Sequence, residues 1–262
     1  MTENYHTHTF RCNHASGADE DYVQSAIAAG LTVLGFSDHT PFFFPGTYYS
    51  AFRMYPDKIQ GYAESILALK EKYRDHIDIR LGLEVEYYPD RMADLLALIA
   101  PCGIEYMILG QHFCGNELDS PYNGTPTDRE SHLKRYCDQL IDAMDTKLFS
   151  YFAHPDLVNF TGDEEIYDHH IRRLLMAAKE RDIPVEINLL GIRGQRHYPN
   201  QQFWKIAGEV KCPVVIGCDA HEPKHVSDPD SERIAMDMVE KYNLALLPKV
   251  PIHSYRLSPL TK

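Results

Sequence analysis

Short apolar runs rich in β-branched and aromatic residues recur along the chain, each followed by a longer stretch in which apolar residues fall three and four apart between charges. Runs of four to eight apolar residues suit strands buried on both faces, and the longer stretches place their apolar residues on one face of a helix. The pattern predicts strands over 4–8, 32–37, 77–85, 106–110, 148–153, 185–188 and 214–218. Helices are expected over 19–29, 56–73, 90–100, 129–145, 164–181, 200–210 and 231–242. Asp57, Thr127 with Asp128, Asn200, and the 228–230 segment stand where helix caps belong. The aromatic stretch 42–55, with Pro45 and Gly46, reads as a long loop over a site, and 253–257 as a closing strand. Strand and helix alternate in this way through seven or eight units, which predicts a parallel (β/α) barrel with fewer than eight regular strands, in one domain over 1–262. An open doubly wound sheet is the alternative, because strand order is not written in the pattern.

Histidines and carboxylates gather where those strands end. His6 and His8, two apart on a strand, point to the same side and can hold one metal together. His14 follows on the next loop, and His39, Glu84, His112 and His154 each fall at or just after a later strand. Asp219 and His221 form another same-side pair after the last. The loops after the strands build the mouth of a parallel barrel, so all nine of these residues are expected there. A single such histidine is often satisfied by a carbonyl in the core edge. Nine acidic and imidazole groups in one place are different: buried carboxylates repel one another, buried imidazoles need partners, and divalent cations answer both needs. Mixed nitrogen and oxygen donors suit zinc, iron or manganese, while calcium would call for a loop dense in oxygen donors, which is not seen. His76, His132, His169, His170, His225 and His253 lie in helices or polar loops and are expected to be solvated; His197 belongs to the loop after the sixth strand.

Charge and composition narrow the functions. With 38 acidic against 26 basic residues the formal charge is −12, which excludes a surface built for long nucleic acid and fits a chain that holds cations. Six cysteines without a C-x-x-C pair imply free thiols in a cytoplasmic protein. No apolar run approaches the ~20 residues of a membrane span, and the N-terminus lacks an export signal. Neither a G-x-S-x-G elbow nor a Gly-rich phosphate loop is present.

The stretches His6-Thr7-His8-Thr9, Cys12-Asn13-His14, Ser37-Asp38-His39-Thr40-Pro41, Gly82-Leu83-Glu84-Val85-Glu86-Tyr87, Gln111-His112-Phe113, Ala153-His154-Pro155-Asp156-Leu157, Glu186-Ile187-Asn188, Gly191-Ile192-Arg193 and Gly217-Cys218-Asp219-Ala220-His221 together resemble the polymerase and histidinol phosphatase (PHP) superfamily, in particular its histidinol-phosphate phosphatases. The resemblance implies a distorted (β/α)7 TIM-like barrel with three metals at its mouth. It places His6, His8, Glu84 and Asp219 on one metal, with Glu84 bridging to a second that His112 and His154 also hold. His14, His39 and His221 fall to the third. Arg193 matches the arginine that these phosphatases use on the substrate phosphate. One departure stands out, since Asn159 and Phe160 occupy a stretch where many relatives carry a basic residue. Arg196 or His197 is expected to substitute.

The implied reaction is hydrolysis of a small phosphomonoester, L-histidinol phosphate first, by hydroxide that the cations generate from water, without a covalent enzyme intermediate. Arg193 is expected to clamp the phosphoryl oxygens, and a metal-bound water, His221 or His197 to protonate the leaving alkoxide. Asp38, Glu86 and Asp156 are candidates to orient imidazoles, with solvated carboxylates as the plain alternative. Another small phosphoester or a nucleotide is the competing substrate. A metal-binding module without turnover is the competing class, although all nine positions and Arg193 are filled.

Overall fold

The computed structural model describes residues 1–253. Its strands are β1 (Glu3–Asn4), β2 (Val33–His39), β3 (Asp78–Val85), β4 (Tyr106–Leu109), β5 (Val185–Asn188), β6 (Pro213–Gly217) and β7 (Ala245–Leu246). They form two parallel sheets, ordered β1-β2-β3-β4 and β5-β6-β7. Single bridges join the sheets into a ring: Phe152 pairs with Leu109 on one side and Val185 on the other, and Thr7 pairs with Ala220. The result is a distorted (β/α)7 barrel, whose staves are β1 continued to Thr7, β2, β3, β4, the segment around Phe152, β5 and β6. The strand expected over 148–153 is thus a stave with only a one-residue ladder on each side, though Ser150, Phe152 and Ala153 still donate to Met107, Pro184 and Leu109. β7, which the pattern did not reveal, pairs with Pro213 and Val214 at the base of β6. There the β1 segment does not reach, since it meets the continuation of β6 only at Ala220. Apart from His253, the expected closing strand at 253–257 lies outside the described residues.

The helices wrap the ring: α1 (Asp19–Ala28), α2 (Ile59–Lys72), α3 (Pro89–Ile99), α4 (Glu130–Asp145), α5 (Glu164–Glu180), α6 (Leu189–Arg193), α7 (Gln201–Val210) and α8 (Pro229–Lys241). Their apolar faces pack on outward residues of the staves such as Leu34, Phe36, Leu83 and Met107. Asn200 accepts from the N–H groups of Gln202 and Phe203 to start α7, and Asp228 from Ser231 to start α8. A 3-10 turn, Pro56–Lys58, precedes α2, and Asp163 caps α5. The short α6 was not expected; Asn188, the last residue of β5, caps it through the N–H of Gly191.

A second, smaller apolar cluster fills the barrel itself: Tyr5, Tyr106, Ile108, Tyr151, Ala153 and Val215. The Tyr106 ring lies flat on Gly82, where a Cβ would come within 2.3 Å of it. Its hydroxyl reaches the carbonyls of Tyr5 (2.8 Å) and Phe36 (3.1 Å), tying β4 to β1 and β2 through the interior. Removing that hydroxyl strands buried acceptors, so Tyr106→Phe is expected to cost about 1–3 kcal/mol in urea unfolding. This polar-tipped plug is the floor on which the site rests.

Candidate metal centre

Each of the nine residues stands at the carboxyl end of its stave, and the barrel brings all nine together. Parallel register sets His39 at the end of β2 beside Glu84 near the end of β3. His6 and His8 flank Thr7, whose pairing with Ala220 sets them against Asp219 and His221. His14 follows a 3-10 turn that Asn13 closes in the left-handed region, at φ 67°. His154 (φ 34°) and Asp219 (φ 47°) hold that region too, where a side-chain-bearing residue costs about 1–3 kcal/mol. Strain at two neighbouring functional groups marks the place where side-chain direction outweighs backbone comfort.

Glu84 is the hub. Its Oε1 lies 2.8 Å from His154 Nε2 and 4.0 Å from His112 Nε2. Its Oε2 lies 2.9 Å from His39 Nδ1, 3.5 Å from His8 Nε2 and 3.6 Å from His6 Nε2. The Oδ1 of Asp219 lies 3.2 Å from His8 Nε2 and from His221 Nδ1, and 3.7 Å from His6 Nε2. On the outer side the Nε2 atoms of His14 and His221 approach to 2.8 Å. Donor atoms of His6, Glu84 and His154, of His6, His8 and Asp219, of His8, His39 and Glu84, and of His14, His39 and His221 each fall within 4.8 Å of one another.

Burial and charge act against each other here. Burial opposes the charged imidazolium throughout, and it keeps His39 well below its usual range and His14 down at about 4. For His6 and His8 the surrounding carboxylates overcome burial: Glu186 and Asp219 hold His6 high, and Asp219 and Asp38 raise His8 to about 9. Burial would likewise raise Glu84 and Asp219, yet His39 and His6 hold the first, and His6 and His221 the second, well below the carboxylate range. Even so, the inward atoms His6 Nε2, His8 Nε2, His39 Nδ1, Glu84 Oε2 and Asp219 Oδ1 are buried and make no well-aligned hydrogen bond among the described residues, although His39 Nδ1 and Glu84 Oε2 stand 2.9 Å apart. Native interiors seldom leave such groups orphaned, and a set of nitrogen and carboxylate donors facing one point fits divalent cations.

The far sides of the rings are held. His6 Nδ1 sits 2.8 Å from Glu186, His112 Nδ1 2.9 Å from Glu86, and His14 Nδ1 2.9 Å from the Cys12 carbonyl. His8 Nδ1 lies 3.4 Å from Asp38. Tying one ring nitrogen turns the other inward, the usual support of a metal-binding imidazole. Two glycines make room for the carboxylates: a Cβ at Gly110 would stand 1.8 Å from Glu84 Oε1, and one at Gly217 1.8 Å from Glu186 Oε1.

Above the cluster opens a cavity of about 280 Å³, rimmed by Leu190, Arg196, Tyr198, Glu222 and His225. Arg196 donates to the Tyr198 hydroxyl at 2.8 Å. Arg193 does not line this cavity; its two Nη atoms donate to the carbonyls of Cys218 and Asp219 and prop the turn that carries Asp219. His197 turns away, with Nε2 2.7 Å from the Leu157 carbonyl. Of the histidines expected in solvent, His170 is buried beside Glu130, His132 is half-buried against Asn123, and His225 lines the cavity. Their hydrophilic neighbours in sequence point outward while they do not. Asp156 orients no imidazole: its carboxylate, raised to about 6 by burial, accepts from the Asn200 N–H and Trp204 Nε1 and so anchors α7. Asn159 and Phe160 pair with the 123–127 segment, where the Asn159 side chain donates to the Gly124 carbonyl. Sequence reading missed Arg53, Glu186 and Asn188 as parts of the site. Arg53 lies in the aromatic loop, with no local signal, whereas the two β5 residues belong to the quoted Glu186-Ile187-Asn188 stretch.

Comparison with known proteins gives the family. A model of the PHP domain matches residues 4–189. A probable histidinol-phosphatase of Deinococcus radiodurans is 28% identical over 227 residues, covering 84% of this chain and 86% of that protein. The histidinol-phosphatase of Bacillus subtilis is 26% identical over 251 residues, covering 83% and 92%. In fold the chain resembles the crystal structure of histidinol phosphate phosphatase from Lactococcus lactis complexed with zinc, L-histidinol and phosphate, with a TM-score of 0.71 at 20% identity over 95% of this chain and 97% of that one. A domain match that spans most of the chain and takes in seven of the nine clustered residues places the protein in the PHP family, as a histidinol-phosphatase-like phosphatase.

Proposed function

We propose that the chain hydrolyses L-histidinol phosphate to L-histidinol and phosphate, with three divalent cations of zinc, iron or manganese held by His6, His8, His14, His39, Glu84, His112, His154, Asp219 and His221. The observation that carries this reading is the set of orphaned inward donors at the base of a cavity sized for a small molecule. When bound, such cations lower the pKa of water toward neutrality and polarise phosphoryl oxygens. Glu84 turns its two oxygens to different imidazoles, so one carboxylate serves two adjacent positions. Arg196, at the cavity rim, is the guanidinium assigned to the phosphate, since Arg193 does not line the cavity and both its Nη atoms donate to carbonyls. A planar guanidinium matches two phosphoryl oxygens and offsets the charge that grows on them. Glu222 on the same rim, one of whose oxygens pairs with Lys224, offers the other to the ammonium of an amino-alcohol phosphate. His197 bonds the Leu157 carbonyl, and His221, as a cation ligand, has no proton to give, so the leaving alkoxide would take its proton from water at the mouth.

Six free, buried cysteines fit a reducing compartment, and we place the protein in the cytoplasm. Among the described residues no helix is long and apolar enough to cross a membrane. The charge of −12 speaks against long nucleic acid as substrate.

The test is phosphate release from L-histidinol phosphate beside sugar phosphates, nucleoside monophosphates and bisphosphates, after loading with zinc, manganese or iron. Preference for histidinol phosphate, lost on chelation, is the expected result. Arg196→Met is expected to lower kcat/KM by about a hundredfold, in the range of a lost charge-stabilising donor. Preference for another phosphoester removes the named substrate and keeps the chemistry. No turnover from the metal-loaded chain favours a binding module instead.

A further inference from the structure

Arg53 comes from the 42–55 loop and is fully buried, which for a guanidinium demands a complete set of partners. It has them. Nη1 and Nη2 hold the two oxygens of Glu86 at 2.9 and 3.0 Å, Nε donates to Glu117 at 3.0 Å, and Nη1 also reaches the Thr40 carbonyl at 2.8 Å. The rings of Phe42 and Phe52 stand 5.2 and 4.5 Å from the guanidinium carbon. The Glu86 oxygen that Nη2 holds is the same Oε1 that lies 2.9 Å from His112 Nδ1. The backbone reaches further, because the Arg53 carbonyl accepts from Asn13 Nδ2 at 2.9 Å, next to His14.

From this geometry we propose that Arg53 is a positioning residue of the metal centre: it locks Glu86, Glu86 orients the His112 imidazole toward Glu84, and the same residue's carbonyl steadies the turn before His14. The inference rests on the metal-centre reading above and adds to it a loop residue 33 or more positions from the carboxylates it grips. A lysine would keep the charge but could not match both Glu86 oxygens in one plane. Groups that orient a metal-binding imidazole typically change metal affinity by about ten- to a hundredfold when removed.

The experiment measures zinc stoichiometry and affinity by chelator competition, with thermal unfolding of the zinc-free chain alongside. Variants are Arg53→Met, Arg53→Lys, His112→Gln and the double change Arg53→Met with Glu86→Gln. The expected result is that Arg53→Met weakens, by about ten- to a hundredfold, the zinc that His112→Gln also weakens, and that Arg53→Lys recovers part of the loss. The zinc needed for half-activity rises in step with the loss of affinity. Should Arg53→Met alone fail to fold, the double variant takes out the Arg53–Glu86 pair together, leaving Glu117 with the Tyr48 hydroxyl, and is expected to show the same weakened site. Parent-like zinc affinity in a folded Arg53→Met or double variant, even with a lower melting temperature, overturns the proposal and leaves Arg53 a purely structural ion pair. A parent chain that takes up no cation, or a His112→Gln chain that binds as the parent does, sinks the metal-centre reading itself.

Discussion

Glu84→Gln is expected to lower phosphate release by about a thousandfold or more, since cation-based charge stabilisation of several kcal/mol is at stake and each 1.36 kcal/mol is a factor of ten. The substitution is nearly isosteric, so the loss follows from charge and donor strength rather than from packing. Glu84 is the carboxylate whose two oxygens approach five histidines, and an amide would offer one weak oxygen donor and one N–H among them. The check is kcat/KM with metal content on the same sample. Loss of activity together with bound metal supports the hub. A Gln variant that keeps a tenth of the activity and all its metal would show that Glu84 is one carboxylate among several.

Gly110→Ala is expected to do nearly the same harm without touching a ligand. Its Cβ would stand 1.8 Å from Glu84 Oε1, 2.5 Å from Cδ and 2.7 Å from Cγ. Glu84 is about as buried as a side chain can be, so it has no open side to move to. Either the carboxylate swings off its imidazoles or β4 shifts from β3. We expect a loss of about a hundredfold in kcat/KM, as for reacting groups misplaced by about 1 Å. The accompanying destabilisation should be about 1–3 kcal/mol, as for overpacked cores. Gly61→Ala is the control: it lies in α2 with open space around it, and replacing a helical glycine there should be neutral or stabilising by about 1 kcal/mol. Activity and urea unfolding measured on both variants separate the outcomes. A fully active Gly110→Ala would mean that the site tolerates a displaced Glu84.

What could be read from the chain in advance follows from local physics. Strand and helix positions came from apolar periodicity, which depends only on neighbouring residues, and most helices match to within about two residues at each end, the usual latitude of such boundaries. The nine residues at the mouth could be named because each stands at or just after the end of a strand, so a parallel barrel of any strand order would gather them. The weak stave at Phe152 was still legible as an apolar run, but its reduction to single bridges was not, since ladder length depends on how two neighbouring staves splay. β7 is two residues long and carries no periodic signal.

The sequence by itself determined the alternation of strands and helices, the order of these elements and the chemical kind of the mouth, because periodicity and donor type are properties of residues in their local setting. Closure into a barrel was decided by the bridges at Phe152 and Thr7. Only the tertiary structure decided which side chains work together across distance: Arg53 with Glu86 and Glu117, Glu186 with His6, Asp156 with Trp204, Arg193 with two carbonyls while Arg196 takes the rim. Such pairings depend on which way a long side chain leaves a loop or a short helix and on what the closed barrel sets opposite it. Neither is encoded in the spacing of residues along the chain.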